Sequence, residues 1–210
     1  MQQTVQKILD FMKVLEQVCL VKRDTLLSDG SAETDSAHIF KLSFFVMLVF
    51  PYLQKKYDYT RLLELALVHD IVEAVAGDCP RSAQVANPNL QVEKKQKERE
   101  AIESYKKILP EPLNNRIFDL FMEYEDKKSA EAKLVSALDK LEANFQANRY
   151  NNGDIRYWKD CENGEEYYKI ATSKKSVVAD LDEDIISVLE NEAINLTLEN
   201  MQKCQIKSCS

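Results

Sequence analysis

Histidine occurs only twice in this 210-residue chain, at His38 and His69, and each stands in a strongly apolar stretch. A lone imidazole among aliphatic side chains is more often a satisfied core residue than a ligand. The neighbours of His69 argue otherwise. Asp70 follows it directly inside LLELALVHDIVEAVAG, a run that is otherwise apolar apart from Glu64 and Glu73. A carboxylate at that depth is costly unless it is paired or bound to a cation. On a helix, Glu73 shares one patch of surface with His69 and Asp70, four and three residues before it. Asp78, just beyond the Gly77 turn, can fold back toward the same patch. Asp139 interrupts the apolar sequence KLVSALDKLEANF and by itself reads as a solvent-facing helix carboxylate. Together, His38, His69, Asp70 and Asp139 are two imidazoles and two carboxylates on three helices, a set suited to one divalent metal with positions open for water and substrate. Adjacent helix residues point about 100° apart, so His69 and Asp70 can share an ion only in a groove between packed helices.

The elements that must hold these groups are helical almost throughout. Val5, Ile8, Met12, Leu15 and Cys19 form the expected stripe of a first helix fading near Lys22-Arg23. Residues 24–34 (DTLLSDGSAET) read as a loop, after which Asp35 or Ser36 caps an apolar helix running to about Lys56. Thr60 caps a third, from Arg61 to Ala76, with Gly77 closing it. A charged helix is predicted from Pro88 to Leu109, a fifth from near Pro112 to Lys127, and a sixth from a Ser129 cap to Tyr150. Residues 151–164 read as a loop, followed by a short helix near 165–174 and a last one from about Asp180 to Lys203. No segment alternates long enough to count as a strand, and no internal repeat is visible. The expectation is an all-α, single compact helical bundle with its metal site between helices. Residues 1–175 would form the domain proper, and residues 176–210 a helical extension packed on it.

Composition excludes several classes. With 45% hydrophobic residues, four Gly and five Pro, the chain is neither disordered nor collagenous. At this length roughly 70% of the unfolded surface is buried on folding, so no disulfide is needed to hold a core. Five widely spaced cysteines without a CxxC pair make a disulfide framework or a zinc-thiolate site a poor reading. The longest apolar stretch, SFFVMLVFPYL, is far short of a membrane span, and the amino terminus MQQTVQKILDFMK is unlike a signal peptide, so a cytoplasmic protein is expected. A net charge of −7 argues against a long nucleic acid as partner but permits a small phosphorylated ligand. The run VEKKQKER, with its interleaved acids, reads as a solvated helix face, and Tyr157-Trp158 with Tyr167-Tyr168 as a patch covering the core or a subunit interface.

The order His38 … His69-Asp70 … Asp139 resembles the H…HD…D signature of the HD-domain phosphohydrolases. The phrases AHIFKLSFF, LALVHDIVEAVAGDCP, EREAIESYKKILPEPL and YEDKKSAEAKLVSALDKLEANFQA look like consecutive blocks of one branch. That branch, the HD domain-containing protein 2 type, is similar to the bacterial 5′-deoxynucleotidases, and the resemblance covers roughly residues 5–150. It implies a metal-dependent phosphomonoesterase acting on nucleoside 5′-monophosphates, with one divalent ion (manganese, cobalt, zinc, iron, nickel or magnesium) on His38, His69, Asp70 and Asp139. Glu73 matches the family's glutamate beyond the HD pair, Gly77-Asp78 its GD, and Arg23 its arginine upstream of the first metal histidine. Ser36-Ala37-His38 departs from the usual Ser-Glu-His or Ser-Asp-His, and the loop 24–34 is unlike the family's, which bears on base and sugar preference.

The implied roles are Arg23 on phosphate, Glu73 on the attacking water, and Asp78 on either the leaving 5′-oxygen or a sugar hydroxyl. With no histidine left over for a second metal, a mononuclear site and a monoester substrate are expected. Members of the branch are often homodimers. The competing readings are a non-catalytic nucleotide or metal sensor built on the same module, and a hydrolase of a different phosphoester.

Overall fold

The computed structural model describes residues 1–78, 87–149 and 181–208. Helix α1 (Gln2–Val18) leads into a short antiparallel hairpin, β1 (Lys22–Leu26) and β2 (Ala32–Thr34), and then into α2 (Asp35–Val49). A 3-10 turn at Phe50–Tyr52 precedes α3 (Tyr59–Val68) and the single turn α4 (Glu73–Ala76). Longer helices follow: α5 (Pro88–Ile108), α6 (Leu113–Asp126), α7 (Ala130–Arg149) and α8 (Asp184–Ser208). The architecture is the expected helical bundle.

The hairpin corrects the reading of 24–34 as a loop. Lys22 pairs with Thr34 and Leu26 with Ala32, with an irregularity between them. Its alternation escapes notice because Thr25 and Glu33, the buried members, are polar. Thr34, not Asp35 or Ser36, caps α2 by accepting a hydrogen bond from Ala37 N, and Asp58, not Thr60, caps α3 through Arg61 N. Helix α2 stops at Val49, well before Lys56, because Pro51 lacks the amide an α-helix would need there.

The third helix is not continuous to Ala76. It ends at Val68 with His69 as its cap, and a tight turn intervenes before α4. Gly77, at φ 75°, closes α4 in a conformation a side chain would strain.

Helix α7 is the hub. It packs against α2, α3, α6, α8 and β1, burying Leu134, Val135, Leu138 and Leu141 with Leu42 and Val46 of α2 and Leu62 and Leu65 of α3. Helix α8 adds Ile186 and Ala193 to this core. It is pinned by Glu183, whose carboxylate accepts hydrogen bonds from Gln54 N (2.7 Å) and Lys55 N (2.9 Å).

The α1 stripe is rotated from its expected position. Phe11 and Val18 are buried, while Val5, Ile8 and Met12 are exposed and Cys19 is a free, exposed thiol. Phe11 meets the Tyr105 ring edge-on at 5.4 Å, so the large aromatic sets the rotation rather than the smaller aliphatics. The expected loop at 151–164, the short helix near 165–174, the aromatic pairs there and Cys79 and Cys161 lie outside the described residues.

Candidate metal centre

His69 caps α3 while still in helical backbone conformation, and its side chain and that of Asp70 meet at one point: His69 Nε2 lies 3.0 Å from Asp70 Oδ2. His38, in the first turn of α2 rather than mid-helix, brings its Nε2 to 3.3 Å from His69 Nε2 and 3.8 Å from Asp70 Oδ2. Asp139, from α7, places Oδ1 3.0 Å from His38 Nε2 and 3.9 Å from His69 Nε2. The structure thus brings together all four residues expected to bind metal.

These separations can be tested against an ion. A tetrahedron of ~2.1 Å bonds has edges of about 3.4 Å, and the five separations that link the two imidazoles to each other and to the two carboxylates straddle that value. His38, His69 and Asp139 offer donor atoms within 4.8 Å of one another, while Asp70 joins them through the imidazoles and gathers with Asp35 and Glu73 on its other side. Both imidazoles are buried, and each directs its other nitrogen to an acceptor. His69 Nδ1 donates to Ala66 O at 2.9 Å, and His38 Nδ1 lies 2.6 Å from Glu142 Oε2. The Nε2 lone pairs are thereby aimed at the common point. Tyr124 donates its hydroxyl to Asp139 Oδ2 at 2.9 Å and fixes that carboxylate from the far side. The donor set and its supports fit a divalent cation.

The electrostatics agree. Burial disfavours the charged His38 ring, but hydrogen bonds to Asp139 and Glu142 outweigh it and push its pKa up to about 10. A cation bound there would release that proton. Burial also works against Asp139, yet the His38 hydrogen bond and the histidine charges bring it down to about 2. Asp70 is held far below the ordinary carboxylate range against its burial, by His69 first and then by Arg23.

Beside this point lies a second, more acidic region. Arg23, on β1, sets Nη1 3.0 Å from Asp70 Oδ2 and 3.5 Å from Asp35 Oδ1, with Nε 3.5 Å from Glu33 Oε2. Asp35, Asp70 and Glu73 gather carboxylate oxygens within 4.8 Å of one another. Among the described residues, neither oxygen of Asp35 nor Glu73 Oε2 accepts a hydrogen bond, although all three atoms are buried. Burial, reinforced by the charge of Asp70, raises Glu73 to about 9 and Asp35 to about 6. Lys94 opposes this by donating to Glu73 Oε1 at 2.9 Å. Asp78 is half-buried, its pKa raised by burial against the pull of Arg23 and Lys94. An arginine, a buried carboxylate needing a proton or a cation, and the histidine–aspartate centre therefore lie side by side.

Several members escaped the sequence. Lys94 lies in the run read as solvated; most of that run is exposed, but the Lys94 side chain is only 21% exposed because it turns inward to Glu73. Glu142 carries a signal in retrospect, three residues beyond Asp139 on the same helical face. Tyr124, Asp35, Glu33 and Lys41 carry none, because their roles depend on which helices meet.

A helical bundle whose separate helices direct two histidines and two aspartates to one point defines a class. The family model described as HD domain matches residues 15–185, and the chain belongs to the HD-domain family. It is 33% identical over 151 residues to 5′-deoxynucleotidase HDDC2 of Xenopus laevis, covering 71% of this chain and 72% of that protein. It is 29% identical over 175 residues to 5′-deoxynucleotidase YBR242W of Saccharomyces cerevisiae, covering 80% and 69%. Among solved structures, one described as a predicted metal-dependent phosphohydrolase from Magnetospirillum magnetotacticum superposes with a TM-score of 0.75 at 21% identity, covering 94% of this chain and 97% of that one. A conserved hypothetical protein from Pyrococcus furiosus superposes with a TM-score of 0.62 at 23% identity, covering 91% and 99%. No helix of the described residues is long and apolar enough to cross a membrane.

Proposed function

We propose that this protein is a divalent-metal-dependent phosphohydrolase that releases phosphate from nucleoside or deoxynucleoside 5′-monophosphates. The observation that carries the reading is the convergence of His38, His69, Asp70 and Asp139 beside Arg23 and Glu73. The 5′-deoxynucleotidase names of relatives aligned over two thirds or more of the chain support the substrate class.

A divalent ion on those four residues would supply Lewis-acid stabilisation of phosphate charge and make water a better nucleophile. Arg23 binds the remaining phosphate oxygens through its planar fork, exchanging part of its contact with Asp70 for the substrate. Glu73 takes the proton of the attacking water, with Lys94 favouring its charged form. Water adds to phosphorus as the bond to the 5′-oxygen breaks, and the nucleoside leaves with a proton. Asp78, whose raised pKa suits a proton carrier, either supplies that proton or holds a sugar hydroxyl.

The division into a domain over 1–175 and an extension over 176–210 is proposed on the packing of α8 against α7. A cytoplasmic homodimer is proposed with it. The exposed residues Phe40, Phe44, Met47 and Leu48, at helical spacing on α2, would suit an interface between copies.

The test is to measure metal in the purified protein and then phosphate release from a panel of nucleoside monophosphates with added manganese, cobalt or magnesium. Metal-dependent release is expected, with both metal retention and turnover lost in Asp70→Ala. Metal binding without release from any substrate would overturn the enzymatic reading in favour of a sensor.

A further inference from the structure

We propose that Glu142 is a positioning residue that sets the tautomer and ligand strength of His38. The inference rests on the reading of His38 as a metal ligand. A neutral imidazole can offer its Nε2 lone pair only if its proton sits on Nδ1. His38 is fully buried, and Glu142 Oε2, 2.6 Å away, is the acceptor for that Nδ1 proton. His69 meets a different partner, the neutral Ala66 carbonyl at 2.9 Å. A carboxylate behind an imidazole raises its basicity more than a carbonyl does, so the two histidines are unequal ligands and His38 is the stronger.

Glu142 is itself held. Its Oε1 pairs with Lys41 Nζ at 2.7 Å, and the same ammonium meets Glu33, whose Oε2 accepts from Thr25. Glu33, His38 and Glu142 offer donor atoms within 4.8 Å of one another, which could suggest a second cation site. Lys41 already pairs with both of its carboxylates, so this group is a closed support rather than a binding site. Asp139 and Glu142 lie three residues apart on α7, so one helix supplies a ligand and, on the same face, the group that orients another ligand.

The experiment measures Mn2+ affinity by calorimetry on the metal-stripped full chain. Glu142→Ala is expected to weaken binding about 10- to 100-fold. Glu142→Gln, which retains an acceptor without charge, should fall between it and the wild type. Gln146→Ala disturbs the same network through Lys41 and the Leu26 carbonyl without touching His38, and should stay within about twofold of wild type by the same reasoning. Imidazole 15N shifts of the Zn2+-loaded protein, with two histidines to assign, should show the His38 proton on Nδ1 and a displaced Nδ1 resonance in the variants. If the wild type binds no metal, the reading of the centre fails. If it binds while both Glu142 variants match it, or if Gln146→Ala weakens binding as much as Glu142→Ala, the positioning role fails and the centre stands. Should Glu142→Ala not fold, Glu142→Gln and its nitrogen shifts decide the matter alone.

Discussion

Replacing Lys94 by Met removes one ammonium from beside Glu73 while keeping an apolar stem of similar length. Lys94 Nζ lies 2.9 Å from Glu73 Oε1 and 3.4 Å from Glu98 Oε1, and Glu73 is only 3% exposed. Glu73 Oε2 accepts no hydrogen bond among the described residues, so the variant leaves both oxygens of a buried carboxylate without a donor there. A charge-assisted hydrogen bond of this kind contributes about 1.5–3 kcal/mol, which corresponds to an upward displacement of the Glu73 pKa by about 1–2 units. If Glu73 must be ionised to take a proton from water, turnover near neutral pH falls by about 10- to 100-fold, in proportion to its ionised fraction. The assay is kcat for phosphate release from a deoxynucleoside monophosphate with saturating Mn2+, measured from about pH 6 to 9. Because wild-type Glu73 titrates near 9, both profiles climb across most of this range, the variant about 10- to 100-fold lower, and the wild type should begin to level by about pH 9 while Lys94→Met still climbs steeply. A variant profile that levels at the same pH as the wild type, only lower, would refute the reasoning and make Lys94 a substrate contact instead.

The same group of residues carries further outcomes. Glu73→Gln should retain Mn2+ by calorimetry yet lose at least ~10²-fold in kcat; a loss of less than tenfold would remove Glu73 from the role of base. Tyr124→Phe deletes the donor to Asp139 Oδ2 but keeps the ring, which packs edge-on against His69 at 5.3 Å. Mn2+ affinity should weaken about tenfold without loss of fold, read by calorimetry and circular dichroism. The metal-free protein should lose stability as pH rises. Glu73 ionises near its ordinary value of 4.5 when unfolded but holds its proton to about 9 when folded. The folded state therefore binds the extra proton between those limits, and its advantage declines by up to about 1.4 kcal/mol per pH unit there. Urea midpoints across pH 5 to 9 should show this decline, flattened in Glu73→Gln.

The four metal-binding candidates were legible in the sequence because each carries a cost that burial alone cannot explain. Two histidines and two aspartates among Leu, Val and Ala need either a partner or an ion, and that need is visible in residue types and helical spacing. The helices were equally legible from their apolar period, as was Gly77 as a stop. Where the reading failed, a single local rule had competitors. Thr34 and Asp58 took the caps from neighbours equally capable of capping. The β1–β2 hairpin hid behind a polar buried face, and Phe11 outweighed smaller residues in turning α1.

From its sequence alone this chain determined a helical class, the period that buries its core, and a set of groups whose burial calls for a partner or an ion. Only the tertiary structure decided the rest. The meeting of His69 and Asp70 with His38 and Asp139 depends on α3 packing against α2 and α7. The inward turn of Lys94 depends on α5 packing over α4, and the Glu142–Lys41–Glu33 support on the hairpin closing against α7. A sequence pattern specifies which face of an element is buried, because that follows from its own period. Which side chains meet across two buried faces follows from how separate elements pack, and no single element encodes it.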